Sequence, residues 1–206
     1  MRAFIAVELP AEIRCVLAHL QSQLAAARAD VKWTEEDNLH ITMRFLGEIT
    51  EGQRQRLEAL LREIAAQTNT IPIALTNVGA FPSMTSPRVL WVGIGEGSSF
   101  ALRASERPLR SVRGAGQEAL TNIAEEIERG VVSLGFEKED HPFSAHVTLG
   151  RVRSPKNRAA LVAVMRELAW TPPQPFAITC LTLFQSTLTS SGPIYASLSK
   201  VPFIKK

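Results

Sequence analysis

Apolar and polar residues alternate from the start of the chain. Ala3, Ile5, Val7 and Leu9 fall on one face and Phe4, Ala6 and Glu8 on the other, which predicts a strand over Arg2 to Leu9. Pro10 ends it and suits the first turn of a helix. From Ala11 to about Arg28 the period lengthens, with Ile13, Val16, Leu17, Leu20 and Leu24 spaced for one face of a helix. Val31 to Thr34 reads as a short strand, and Leu39 to Leu46 as a longer one stopped by Gly47. Thr50 and Gln53 have the spacing of a capping box ahead of Leu57, Leu60, Leu61 and Ile64, so a second helix is expected to about Gln67. Strand character returns over Ile71 to Phe81.

The second half of the chain repeats the series. Arg88 to Ile94 reads as a strand, and Gln117 to Leu134 as a helix carrying Leu120, Ile123, Ile127 and Val131, with Gly135 as its stop. Ser144 to Arg153 is a further strand. Ser154 and Pro155 have the character of an N-cap and first helical residue for a helix to about Leu168. Phe176 to Ser186 and Ile194 to Lys200 close the chain as a hairpin around Thr189 to Pro193. His40 and His146 stand 106 positions apart, and the same offset carries helix 11–28 onto 117–134 and strand 71–80 onto 177–186. The chain therefore reads as an internal duplication within one domain, 1–206, with pseudo-repeats of about 1–84 and 85–206. Residues 95–116, rich in Gly, Ser and Arg, read as an inserted loop. The expected fold is α+β and bilobal, each lobe an antiparallel sheet backed by helices, with the active site in the cleft between the lobes.

Composition narrows the class. With 206 residues and 45% hydrophobic content the chain is long enough for a real core. No apolar run approaches the roughly 18 residues of a membrane span, and Met1 to Leu9 lacks the features of a signal peptide, so a soluble, cytoplasmic protein is expected. Cys15 and Cys180 share no motif and read as small buried hydrophobes rather than a disulfide or metal site. A net charge of +3 permits an anionic partner, but there is no basic run with interleaved aromatics. A short or terminal nucleic acid suits the chain better than an extended strand.

Within Leu39 to Leu46, period two puts His40, Thr42 and Arg44 on one face and Ile41, Met43 and Phe45 on the other. The second copy sets His146 and Thr148 against Ala145, Val147 and Leu149. A histidine and a threonine two residues apart stand about 6.5 to 7 Å from each other along a strand, close enough to touch different atoms of one phosphate. Imidazole, with an ordinary pKa of about 6.5, serves as base or acid near neutrality. Threonine hydroxyls donate to non-bridging oxygens as charge builds. One His-x-Thr is a weak signal; its recurrence at equivalent positions of a duplicated strand carries the reading. Arg44, on the same face, is a candidate phosphate ligand, whereas Arg151 falls on the core register and needs a strand end or bulge to reach substrate.

The segments Asn38 to Gly47 and Pro142 to Arg151 resemble the two signature motifs of the 2H phosphoesterase superfamily. The resemblance is closest to its bacterial and archaeal branch, the RNA 2′,3′-cyclic phosphodiesterases, also called 2′-5′ RNA ligases. Arg2 to Val7, Pro87 to Gly93 and Gly192 to Tyr195 also look like that branch. Ala145 stands where the family usually has proline, and loop 95–116 is longer than usual. The resemblance implies no metal or other cofactor, and hydrolysis of an RNA 2′,3′-cyclic phosphate end to a 2′-phosphate. The reverse 2′-5′ ligation would be a weaker activity. It further implies that one histidine deprotonates water and the other protonates the departing 3′ oxygen, leaning to His40 as acid and His146 as base, while Thr42 and Thr148 hold non-bridging oxygens. The expected partner is RNA with a cyclic phosphate end or a small nucleotide, with no membrane, and the protein is expected to be a monomer.

Other residues read more plainly. His19 belongs to a helix surface, and His141, beside Asp140, to a loop. A zinc site joining His141 to the motif histidines lacks any supporting spacing. Trp33, Trp91 and Phe184 are expected in the core, while Phe81 or Tyr195 offers a ring for a base. Two alternatives stay open: a phosphodiesterase for small cyclic nucleotides or 2′-5′ oligonucleotides, and a binding module without chemistry.

Overall fold

The computed structural model describes residues 1–95, 108–190 and 192–204. Its first series of elements is β1 (Arg2–Glu8), α1 (Ala11–Ala25), β2 (Val31–Trp33), β3 (His40–Glu48), α2 (Glu51–Ala65), β4 (Ile71–Ile73) and β5 (Leu75–Ser83). The second is β6 (Ser86–Ile94), α3 (Pro108–Ser133), β7 (His146–Val152), α4 (Arg158–Glu167), β8 (Phe176–Ile178), β9 (Cys180–Leu188) and β10 (Pro193–Pro202). The expected capping box is present: the Thr50 hydroxyl accepts from the Gln53 amide, whose side chain answers the Thr50 N–H.

The strands lie in the order β10-β9-β1-β3-β7-β6-β5, all neighbours antiparallel, with β2 laid on the far end of β7. The two halves meet at one register pair, Ile41 opposite Val147. About that pair β9-β1-β3 answers β5-β6-β7, so the molecule is a bilobal duplication. Each half is completed by the other series: β5 follows β4 in sequence yet pairs with β6, and β9 pairs with β1. The lobes therefore share covalent chain in both directions, and β4 pairs with β8 as a separate two-stranded ribbon.

Alternation decides which face is covered. Ile5, Val7, Ile41, Leu90, Val92, Val147, Leu181 and Leu183 turn to one side, where they meet Leu17, Leu20 and Leu24 of α1, Leu57 and Leu61 of α2, and Leu120 and Ile127 of α3, all buried. The opposite side, carrying His40, Thr42, His146 and Thr148, is left open.

Several sequence expectations are corrected. Helix α3 begins at Pro108 rather than Gln117, so the expected loop 95–116 is in part helical, proline suiting a first turn; its residues 96–107 lie outside those described. Helix α4 begins at Arg158 rather than Pro155. Its N-cap is Asn157, whose left-handed φ of 52° an asparagine tolerates and whose amide donates to the Arg28 carbonyl at 2.9 Å. The strands expected over 71–81 and 176–186 each divide, because β4 and β8 leave the main sheet to pair with each other. Cys15 is exposed, not buried, since it stands about 200° around the helix from Ile13 and again from Leu17; Cys180 is buried as expected. Among the described residues no helix is long and apolar enough to cross a membrane.

Candidate active site

Strands β3 and β7 bring the two His-x-Thr motifs together. Their single register pair, Ile41 and Val147, consists of the middle residues of the two motifs. An antiparallel pair centred there sets His40 against Thr148 and Thr42 against His146 on one face, strands about 4.8 Å apart. All four side chains are partly buried.

Both imidazoles are held the same way. His40 Nδ1 lies 2.7 Å from the Asn38 carbonyl oxygen, and His146 Nδ1 lies 2.7 Å from that of Ser144. A carbonyl only accepts, so Nδ1 carries a hydrogen in each ring and Nε2 is left as the titrating atom. Thr42 Oγ1 is 2.9 Å from His40 Nε2, donating when the ring is neutral and accepting when it is charged. Burial holds both histidines below their ordinary pKa, against the pull of the backbone bonds. The charge of His146 lowers His40 further, and the Arg151 guanidinium does the same to His146.

Aromatic rings frame each histidine. Phe4 stands 5.0 Å from the His40 ring, Tyr195 5.5 Å and Phe184 6.4 Å. Phe81 stands 5.4 Å from His146 and Trp91 6.4 Å. Trp91 and Phe184, expected in the core, belong instead to the site face, because their neighbours Leu90, Val92, Leu181 and Leu183 take the buried side. Trp91 lies flat over Gly79, where any Cβ would collide with the indole. Trp33 packs partly buried against the core, as expected. The Asn38 amide donates to the Pro193 carbonyl at 3.0 Å, fastening the start of the strand that carries Tyr195 to the turn before His40.

A bulge in each motif strand redirects the residues after the threonine. Ala6 and Ile5 oppose Thr42 and Arg44, leaving Met43 as an extra residue; Trp91 and Leu90 oppose Thr148 and Gly150, leaving Leu149 extra at the equivalent place. Beyond a bulge the alternation is out of phase. Arg44, expected on the phosphate face, is thereby turned away from it. Its Nε donates to Glu128 at 2.6 Å and its Nη1 to Glu139 at 2.7 Å, and it also caps the Glu137 carbonyl. Arg44 thus ties β3 to α3 and to the loop before β7. Phe45, expected in the core, is 58% exposed, with its ring 6.1 Å from that of Phe4. Arg151, the equivalent of Phe45, receives from the second bulge the turn it needed: it opposes Val89 and acts electrostatically on both His146 and Tyr195. No hydrogen bond or ion pair engages its guanidinium among the described residues.

The remaining histidines stand apart from this set. His19 is exposed, its Nε2 3.3 Å from Gln23. His141 is exposed and lines a groove of about 590 Å³ with Arg44, Glu128 and Arg129, behind the motif strand. Among the described residues no group of three or more His, Cys, Asp or Glu is arranged to hold a metal.

Known proteins resemble the chain in both sequence and fold. The family model described as LigT like Phosphoesterase matches residues 7–91 and 112–195. The RNA 2′,3′-cyclic phosphodiesterase of Aeropyrum pernix is 35% identical over 90% of this chain and 93% of its own length. That of Archaeoglobus fulgidus is 32% identical over 96% and 98%. In fold, the crystal structure of TT0787 of Thermus thermophilus superposes with a TM-score of 0.75 at 25% identity, covering 98% of both chains. Escherichia coli LigT, solved in complex with 3′-AMP, gives 0.69 at 23% identity over 98% of this chain and 97% of its own.

Proposed function

The chain belongs to the LigT-like phosphoesterases, and from that membership we propose that it hydrolyses the 2′,3′-cyclic phosphate at an RNA end to a 2′-phosphate and a free 3′ hydroxyl. The observation that carries the reading is the pairing of two His-x-Thr motifs about Ile41 and Val147, each ring held at Nδ1 by a carbonyl and presenting Nε2. The whole chain acts as one bilobal unit in this reading, with repeats of about 1–84 and 85–206.

His146 is the base and His40 the acid. His146 Nε2 takes a proton from water as the hydroxide oxygen bonds to phosphorus; the bond from phosphorus to O3′ breaks, and O3′ takes the proton of His40 Nε2. The two lobes differ in a way that supports this order. Arg151 beside His146 favours the neutral form that a base requires, whereas the charge that acts on His40 is that of His146, which is absent while the base is neutral. Thr42 and Thr148 donate to the non-bridging oxygens, and Arg151 adds charge on the base side. The exposed ring of Phe45 offers a stacking surface to the base of the terminal nucleotide. With a 5′ hydroxyl in place of water the same steps give a 2′-5′ linkage.

The test is product analysis on a short RNA bearing a 2′,3′-cyclic phosphate. The 2′-phosphate is the expected product. A 3′-phosphate would reverse the seating of the ribose and the assignment of acid and base, and absence of turnover would leave a binding module.

A further inference from the structure

The two half-sheets match strand for strand except at one edge. In the order β10-β9-β1-β3-β7-β6-β5, β9-β1-β3 answers β5-β6-β7, and β10 has no counterpart among the described strands. The rings about His146 come from within its own half, Trp91 from β6 and Phe81 from β5. His40 has in addition the Tyr195 ring of the extra strand, edge-on at 5.5 Å and 79°, which also stands 4.8 Å from the Phe4 ring.

Asn38 joins this extra strand to the histidine it covers. The single turn Glu36–Asn38 sets its backbone, with the Asn38 N–H donating to the Glu35 carbonyl at 2.9 Å. Its own carbonyl accepts from His40 Nδ1 at 2.7 Å, and its side-chain amide donates at 3.0 Å to the carbonyl of Pro193, two residues before Tyr195. The equivalent residue of the second lobe is Ser144, whose carbonyl holds His146 Nδ1 in the same way. The Ser144 side chain makes no hydrogen bond among the described residues. One residue thus grips both the His40 ring and the strand that closes over it, and the other half of the duplication lacks the device.

We propose that the Asn38 side chain is a positioning residue for the acid: by holding the Pro193 carbonyl it keeps the Tyr195 ring closed over His40, which then delivers its proton from a dry, fixed seat. The assignment of His40 as acid rests on the cyclic phosphodiesterase reading above. A covered ring loses the water that would stabilise its charge, and burial is the largest influence holding His40 below its ordinary pKa. Among the described residues no carboxylate pairs with His40 to offset this. Glu8, opposite His40 in register on β1, is taken by Lys200 of β10 at 2.8 Å and by the Thr182 hydroxyl at 2.6 Å, and Asp37 of the turn by Arg14 at 3.7 Å. The facing charge on β7 is that of His146, with Arg151 beside it, and both oppose a charged His40 or leave it unpaired. An imidazolium so placed gives up its proton to O3′ the more readily for as long as the cover stays in place.

The experiment follows the imidazole resonances of His40 and His146 through a pH titration in the parent, Asn38→Ala, Tyr195→Leu and the double variant, with kcat/KM on a nucleoside 2′,3′-cyclic phosphate measured beside it. Asn38→Ala raises the His40 midpoint, leaves that of His146 at the parent value, and lowers kcat/KM about fivefold, the worth of one hydrogen bond. Tyr195→Leu raises the His40 midpoint further. The double variant matches Tyr195→Leu, because a tie to a strand without its ring has nothing left to position. A His40 midpoint unmoved by Asn38→Ala, equal movement of both rings, or shifts that add in the double variant overturns the proposal while leaving the cyclic phosphodiesterase reading intact. Absence of turnover by the parent overturns that reading, and with it the acid that Asn38 serves.

Discussion

Three residues beyond its threonine, the first motif strand presents Phe45 and the second presents Arg151. The two positions are structurally equivalent, each placed by a bulge one residue after the threonine. Nearer the centre the two lobes share the carbonyl on Nδ1, the histidine, the apolar residue at the joining pair and the threonine. In the proposed reaction duplication supplies two proton carriers, and the residues after the bulge make them unequal. In the same reading a cation on one side and an exposed ring on the other would give the substrate a direction.

The strongest test of the shared part is removal of either ring. His40→Ala and His146→Ala are each expected to lose about 10² to 10⁴ in kcat on a 2′,3′-cyclic phosphate substrate, measured in single turnover. Near-parent turnover by either variant breaks the pairing. Thr42→Val and Thr148→Val should each lose on the order of 10². Thr42→Val should show the larger loss, because its hydroxyl also holds His40 Nε2 at 2.9 Å. Equal losses would mean that the Thr42 bond to His40 is incidental.

The unequal part is probed more gently. Arg151→Gln removes a cation that depresses His146, so the folded pKa of His146 rises and the acidic limb of the rate profile moves to higher pH. Titration of activity against pH reads this directly, and an unmoved limb would remove Arg151 from the base side. Arg44 marks the smallest effect on chemistry. Its guanidinium bridges β3 to Glu128 and Glu139, whereas its counterpart in the other lobe is Gly150. Arg44→Ala should cost about 2 kcal/mol of stability in denaturant unfolding, with KM close to the parent value. A raised KM at unchanged stability would return Arg44 to the phosphate.

How far the sequence carries depends on the kind of signal. Helical stripes such as Ile13 to Leu24 and the Thr50 capping box are local patterns, and they locate their elements within a few residues. The His-x-Thr pair is legible because period two and the 106-residue offset both act on identity alone. The bulges at Met43 and Leu149 are not, since a bulge is a property of two strands in register and neither residue type signals it. That single omission misplaces Arg44 and Phe45 together, while Arg151 needs a bulge that nothing in the sequence announces. The exchange of β5 and β9 between lobes is likewise a matter of partner choice, which periodicity does not encode. Size alone sends Trp91 and Phe184 to the core, yet their phase relative to Leu90 and Leu183 already sets them opposite it.

If the two histidines act together in opposite protonation states, the pH dependence of kcat/KM carries their signature. The base must be neutral, so activity falls as pH drops through its pKa; the acid must be protonated, so activity falls as pH rises through its own. Burial depresses both rings in the free enzyme, so the predicted result is a bell whose maximum lies below the ordinary histidine value of about 6.5, both limbs belonging to the coupled pair. A profile with one limb, or a flat one, would contradict paired catalysis.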